Sequence, residues 1–260
     1  MDYVEFLGTS GTRTPTQGTT CVQVSNHCVI DAGNLINTFG DNILSVEHIF
    51  LTHSHLDHII DIPFLADLFV AQKSSPLKIY GLKTTLDDLR HFVFNHRIWP
   101  NFVEIDLIGY PGKTIELIEI EPDISYPIDG VSLTPFKTDH TDGSCGYLIE
   151  KEGNGILFTA DTYRCPRIWE LLDQNPHIHS LVVEISFPSD FNELALDSKH
   201  LTPALLESEL TSCTRTDFIL YTMHLKTLYA PAIIHELQSM QLLKNGGRVL
   251  RDLDRIDYAK

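Results

Sequence analysis

The chain has 260 residues, 43% of them hydrophobic, and its 35 acidic side chains against 19 basic ones give a formal charge of −16. That length supports one domain over 1–260 with a substantial core. The charge, with no Lys/Arg cluster to offset it, argues against bulk nucleic acid as a partner but admits a small anion meeting a cationic site in a cleft.

The first residues, MDYVEFLGTSG, carry acids where a signal peptide would carry positive charge. No apolar run approaches the ~18 residues of a membrane span, so a cytoplasmic address with no membrane partner is expected. Tyr3 to Leu7 alternates into a strand, Gly8 to Gly11 makes a tight turn, and a second strand follows at Cys21 to Ser25. Val29 and Ile30 lead into Asp31, which is either a partner for a metal-ligating His or an Asx-turn residue before Gly33.

The next segment, IFLTHSHLDHIID over Ile49 to Asp61, places His53, His55, Asp57 and His58 directly after an apolar strand. Imidazole and carboxylate are ligands that zinc, iron and manganese accept. Alternation along a strand points His53 and His55 towards one cation, and a turn brings Asp57 and His58 towards a second. Such density at a strand mouth points to a metal pair rather than a His-rich surface loop, and the pair needs further ligands from elsewhere in the chain.

Ile59 to Gln72 carries a helical apolar stripe, Lys78 to Gly81 is a short strand, and Thr84 to Asn95 reads as an amphipathic helix capped by Thr84 or Thr85. In FNHRIWPNF at 94–102, Asn95, Arg97 and Trp99 form either a substrate-binding wall, with a ring to stack a base and a guanidinium to meet phosphate, or a connecting segment packed on the core. Strands follow at Lys113 to Ile120 and Val131 to Lys137, the latter running into His140. Gly146 to Glu150 and Gly155 to Thr159 form a hairpin around Gly153 and Asn154, ending at Asp161. His140 and Asp161 thus stand at strand ends, as His53 does.

Helix is expected at Arg167 to Leu172 and strand at Ser180 to Ser186, where Glu184 interrupts the apolar run LVVEISF. A buried carboxylate needs a fixed partner, and His200 is the candidate. Asp190 to Lys199 is helix or loop. Thr202 caps a helix from Pro203 to Leu210, Phe218 to Met223 is a strand ending in His224, and Ala230 to Leu243 is a helix. The five cysteines are odd in number and form no CxxC pair, so reduced thiols are expected.

The HxHxDH pattern at 53–58 resembles the metallo-β-lactamase superfamily, which implies an α/β fold, the αββα sandwich, with metals at one edge. More narrowly, HxHLDH, FNHRIWPNF, EISFP leading to HLTP at 184–203, and MHLK at 223–226 resemble the class-II 3′,5′-cyclic-nucleotide phosphodiesterases. By that resemblance His53, His55 and His140 would hold one divalent ion and Asp57, His58 and His224 another, with Asp161 bridging. The ions would be zinc, with manganese or iron as alternatives. The chain departs from the family in having Asp61 where a small residue follows the motif, and Thr227 where Pro follows HLK.

The implied activity is hydrolysis of a small anionic cyclic nucleotide, cAMP or cGMP, to the 5′-monophosphate by attack of a metal-held hydroxide. Catalytic roles fall to Asp57, which orients the nucleophile, and to His200, kept protonated by Glu184 as acid for the leaving 3′ oxygen; a purely structural pairing of His200 with Glu184 is the alternative. Ribonuclease Z shares the superfamily, but there a His normally precedes the Glu aligned with Glu184, where this chain has Val183, and no long basic arm is evident. Thioester, lactone or β-lactam hydrolysis on the same metals is a further alternative. By analogy with the superfamily, a homodimer is expected.

Overall fold

The computed structural model describes residues 1–243 and 245–259. Six strands come first: β1 (Tyr3–Gly8), β2 (Cys21–Gln23), β3 (Cys28–Ile30), β4 (His48–Phe50), β5 (Leu77–Gly81) and β6 (Ile115–Glu119). Six more form a second sheet: β7 (Tyr126–Ile128), β8 (Val131–Lys137), β9 (Cys145–Lys151), β10 (Asn154–Phe158), β11 (Ile178–Glu184) and β12 (Ile219–Met223). The last strand, β13 (Asp254–Asp257), returns to pair antiparallel with β1. The sheet orders are β13-β1-β2-β3-β4-β5-β6 and β12-β11-β10-β9-β8-β7.

Alternation along the strands builds three apolar layers. Within β11, Val182 points between the sheets with Phe6, Phe50, Tyr147 and Phe158, while Leu181 and Val183 point outward. The outer face of the first sheet is covered by α1 (Leu35–Phe39), α2 (Leu56–Ile59), α3 (Ile62–Gln72) and α4 (Lys83–Asp88). The outer face of the second is covered by α5 (Pro166–Gln174), α6 (Asn192–Ser198), α7 (Pro203–Leu210) and α8 (Ala230–Ser239). The result is helices, sheet, sheet, helices. Among the described residues, no helix is long and apolar enough to cross a membrane.

The sheets are joined where β4 ends. Cys145 N–H donates to the Thr52 carbonyl at 2.9 Å, and the Tyr147 hydroxyl donates to the Leu51 carbonyl at 2.7 Å. Phe50 stacks on Tyr80 at 4.2 Å and meets Tyr147 edge-on at 5.9 Å. The segment after β4 is therefore fixed by both sheets before any ligand binds.

Several elements differ from the sequence reading, each for a local reason. The stripe expected over 59–72 is split into α2 and α3, because the Asp61 N–H leaves the helical ladder to donate to the Ala32 carbonyl at 3.0 Å and the His58 carbonyl accepts the Ala32 N–H at 2.7 Å, while the Asp61 carboxylate accepts the Ile36 N–H in the first turn of α1 at 2.9 Å. The helix expected over 84–95 starts at Lys83 with extended Leu82 as its cap, while the Thr85 hydroxyl bonds to the Gly143 carbonyl. Its last turn, Leu89–Val93, widens to π-helix, closed by Phe94 N–H on the Leu89 carbonyl at 2.8 Å. The hairpin turns on Glu152 and Gly153, both at positive φ, one residue earlier than expected. The expected helix 230–243 ends at Ser239.

Candidate metal centre

Strand ends and short turns deliver every side chain of the centre. His53 follows β4, Asp57 and His58 lie on α2, His140 follows β8, Asp161 follows β10 and His224 follows β12. Three residues here hold left-handed backbone without being glycine: Asp31 (φ 60°), Ala160 (φ 51°) and His224 (φ 64°). Such conformations persist only where the surroundings over-determine them. For His224 the surroundings are a hydrogen bond from its N–H to the Thr9 carbonyl at 2.7 Å, and Gly11, where a Cβ would stand 2.5 Å from the His224 carbonyl oxygen. Gly33 permits the same close approach on the other side, since a Cβ there would meet the Asp57 carbonyl oxygen at 2.1 Å.

The ring orientations are set from behind. His58 Nδ1 lies 2.7 Å from Asp31 Oδ2, which also accepts the Thr52 hydroxyl at 2.7 Å, and Asp31 Oδ1 accepts the Thr52 N–H at 2.8 Å. Asp31 is thus the partner of a cluster histidine. His53 Nδ1 lies 3.0 Å from the Thr52 hydroxyl, His140 Nδ1 3.0 Å from the Lys199 carbonyl, and His224 Nδ1 3.0 Å from the Ser186 hydroxyl. With Nδ1 engaged, each of these rings turns Nε2 inward.

The inward atoms converge. Asp161 Oδ2 stands 3.3 Å from His224 Nε2, 3.4 Å from His58 Nε2, and 3.8 Å from the Nε2 atoms of both His53 and His140. Asp57 Oδ2 is 3.3 Å from His224 Nε2 and 3.9 Å from His58 Nε2, while His55 Nδ1 faces His140 Nε2 at 3.1 Å. His53, His55 and His140 form one compact donor group, Asp57, His58 and His224 another, and Asp161 shares a group with His53 and His58. The structure brings together all the side chains that the resemblance assigns to metal.

Two observations test whether cations fit. His53 Nε2 and His58 Nε2 are buried and make no hydrogen bond, although buried polar atoms are nearly always paired. The donor set of imidazoles and carboxylates suits zinc, iron or manganese. Electrostatics divide the rings: burial lowers His58 too, but the Asp161 and Asp31 carboxylates outweigh it and hold that imidazole well above its usual range, whereas three other rings are lowered. Burial, then the His58 ring, hold His53 well below the usual imidazole range; burial likewise lowers His55 and His140, so these rings are neutral as ligands must be. Burial works against ionisation of Asp161, but His224 and His58 outweigh it and hold the carboxyl well below its usual range. The residues fit divalent ions.

Beside this cluster sits a second group. Glu184, at the end of β11, accepts the Ser186 hydroxyl at 2.9 Å and the Leu201 N–H at 3.0 Å, and its Oε1 lies 2.9 Å from His200 Nδ1. Burial opposes protonation of His200, yet Glu184 outweighs it and holds the imidazole above its usual range. A cleft of about 480 Å³ is lined by His55, Asp57, His140, Asp161, His200 and His224 together with Lys199 and Lys226. The larger cavity of about 1070 Å³, between the 9–17 loop and α8, is lined by none of the cluster side chains; Leu225, the neighbour of His224, is part of its wall.

Asn95, Arg97 and Trp99 do not line the cleft. The Asn95 amide oxygen accepts the N–H groups of Arg97 and Ile98, its amide nitrogen donates to the His91 carbonyl, and Trp99 packs against Phe64 with ring centroids 5.2 Å apart. Thr52, Ser186 and the Lys199 carbonyl were not legible as site groups, because hydroxyls and carbonyls that orient a ring carry no spacing signature. The two departures from the family pattern are also explained locally. Asp61 caps α1 and stands 3.7 Å from Arg13, and the Thr227 hydroxyl donates to Gln17 at 2.9 Å.

A family model described as a beta-lactamase superfamily domain matches residues 30–219, well over half of the chain. The chain belongs to the beta-lactamase superfamily. Its layered architecture is the metallo-β-lactamase fold. A probable 3′,5′-cyclic-nucleotide phosphodiesterase of Yersinia pestis is 26% identical over 181 residues, which span 64% of this chain and 50% of that protein. A ribonuclease Z of Halorubrum lacusprofundi is 28% identical over 110 residues, 41% of this chain and 32% of that one. The crystal structure of unliganded yeast PDE1 superposes with a TM-score of 0.75 at 19% identity, covering 100% of this chain and 98% of that one. The chain spans about half the length of the leading curated relative it matches. Members of this superfamily fold use divalent metal ions, in keeping with the donor set.

Proposed function

We propose that the protein is a dinuclear-metal phosphodiesterase that hydrolyses 3′,5′-cyclic nucleotides, cAMP, cGMP or both, to 5′-nucleoside monophosphates. The observation that carries this reading is the Glu184–His200 pair, 2.9 Å apart and buried, set against the metal cluster in the same cleft. Relatives named cyclic-nucleotide phosphodiesterases support it. His53, His55 and His140 would hold one cation, Asp57, His58 and His224 the other, with Asp161 between them. Divalent ions held there supply Lewis acidity to phosphate oxygens and make water a stronger acid.

The chain's own residues do the rest. Asp57, fixed against His224 Nε2, orients the attacking water in line with the scissile bond. As the water oxygen, having released one proton to solvent, bonds to phosphorus and the bond to the 3′ oxygen breaks, His200 Nε2 gives its proton to that poor leaving group. Glu184 stabilises the imidazolium beforehand, and the Ser186 hydroxyl steadies both Glu184 and His224. A thiolate leaving from a thioester needs no such acid, which sets this reading above thioester hydrolysis.

A second reading, RNA 3′-end processing, is favoured by relatives named ribonuclease Z. The charge of −16 opposes it, because a long polyanion meets repulsion that a small nucleotide in a screened cleft does not. Metal-loaded protein assayed on cyclic AMP, cyclic GMP, an RNA precursor, nitrocefin and a thioester separates the classes. Turnover of neither cyclic nucleotide removes the leading one. The acid is tested by His200→Ala, which should keep its metal and lose about 10²- to 10⁴-fold in rate on cyclic AMP, with a far smaller loss on an activated aryl phosphodiester. Equal losses on both substrates would refute the role.

A further inference from the structure

The cleft holds one cation that this chemistry leaves unused. Lys226 lies two residues beyond His224, after β12 has ended and before α8 begins, and lines the cleft with His55, Asp57 and His200. Its carbonyl accepts the N–H groups of Tyr229 and Ala230 at 2.8 and 3.0 Å, so the side chain springs from fixed backbone. The residue is half-buried, and Nζ stands 5.5 Å from the centroid of the Phe187 ring, which packs on His200 at 5.9 Å.

The other lysine of the cleft is neutralised. Lys199 Nζ bonds to Asp139 Oδ1 at 2.5 Å. Lys226 has no such partner: among the described residues no carboxylate pairs with it, in a chain with nearly twice as many acids as bases. An aromatic face holds an ammonium in place without cancelling its charge. Partial burial of an unpaired cation is unfavourable, and its presence beside a metal cluster points to an anion as the missing partner.

We propose that Lys226 is an anion clamp, whose ammonium donates to a non-bridging oxygen of the substrate phosphodiester on the wall of the cleft shared with His200 and His224. The site thereby selects anionic phosphodiesters over neutral esters and lactams. This rests on the phosphodiesterase reading. Because the contact is made with ground state and transition state alike, its loss falls mainly on KM.

The test compares wild type, Lys226→Gln and Lys226→Arg, each loaded with metal and checked for equal metal content. Kinetics are measured on cyclic AMP, on bis(p-nitrophenyl) phosphate and on neutral p-nitrophenyl acetate, and inorganic phosphate binding is measured by calorimetry. Lys226→Gln should raise KM for both phosphodiesters about tenfold with a much smaller change in kcat, and weaken phosphate about tenfold. The neutral ester should be nearly indifferent, and Lys226→Arg should keep most of the affinity. Unchanged phosphate binding in Lys226→Gln, no phosphate binding to the wild type, or an equal loss on the neutral ester would overturn the clamp. If wild type turned over no cyclic nucleotide while phosphate affinity still fell tenfold in Lys226→Gln, the clamp would stand and the cyclic-nucleotide reading would fall.

Discussion

Asp31 shows how a single buried carboxylate orients a histidine of the candidate metal centre from behind. It is fully buried and spends both oxygens on Thr52 and His58. Asp31→Asn retains the shape but removes the negative charge behind the His58 ring. Metal affinity, measured by competition with a chelator, should fall about 10- to 100-fold with the fold intact, and an unchanged affinity would show that Asp31 serves only the turn. The cysteines give a contrasting residue-scale expectation. Burial pushes Cys145 up to about 12 and raises Cys21, Cys28 and Cys165; it also raises Cys213, which lies beside Asp173 and is half-buried where the other four are buried. A raised pKa leaves little thiolate at pH 8 and more as pH rises, so native protein should label slowly at Cys213 alone, faster at pH 9 than at pH 7. Rapid labelling of several thiols, followed by peptide mapping, would contradict the buried placement.

Elements carry the next level of control, and the loop between β1 and β2 is the clearest example. Asp252, just before β13, accepts the Thr9 N–H and hydroxyl at 2.9 Å each and the Gly18 N–H at 2.7 Å, while the Thr9 carbonyl holds the His224 N–H. Removing the carboxylate leaves two backbone donors without partners. Asp252→Ala should therefore cost about 2–3 kcal/mol in urea unfolding and loosen metal binding through His224; a loss below 0.5 kcal/mol, about what an exposed surface change costs, would show the tether to be dispensable. None of this was legible in the sequence, since Asp252 and Thr9 are remote in the chain and the backbone N–H groups that hold the Asp252 carboxylate carry no residue signature. What was legible followed from strong periodicity or a known cap: β8 at Val131–Lys137, α7 at Pro203–Leu210 with the Thr202 hydroxyl accepting the Leu205 N–H, and the strand ends that carry His140, Asp161 and His224. Short elements such as α1, β7 and β13 escaped, because three to five residues carry too little pattern and depend on partners across the fold.

At the scale of the whole molecule, the centre sits where two sheets and four strand ends meet, so metal and fold are coupled. The second sheet contributes His140, Asp161 and His224, the segment from the end of β4 through α2 contributes the other ligand candidates, and the two are otherwise tied there by Cys145 and Tyr147 to Thr52 and Leu51. His53 Nε2 and His58 Nε2 are buried there and make no hydrogen bond. Cations that bind the native state alone stabilise it by about 2.7 kcal/mol at a free concentration one hundred times Kd. At about 2–4 °C per kcal/mol for a chain of this size, chelation should lower Tm by roughly 5–11 °C, and re-addition of zinc or manganese should restore it. Asp161→Ala removes the carboxylate that faces four imidazoles, so its Tm should respond much less to metal than the wild-type value does. Calorimetric scans of both proteins with and without chelator decide the matter: equal metal-dependent shifts in the two would mean that the cations lie elsewhere and that the convergence of strand ends serves packing alone.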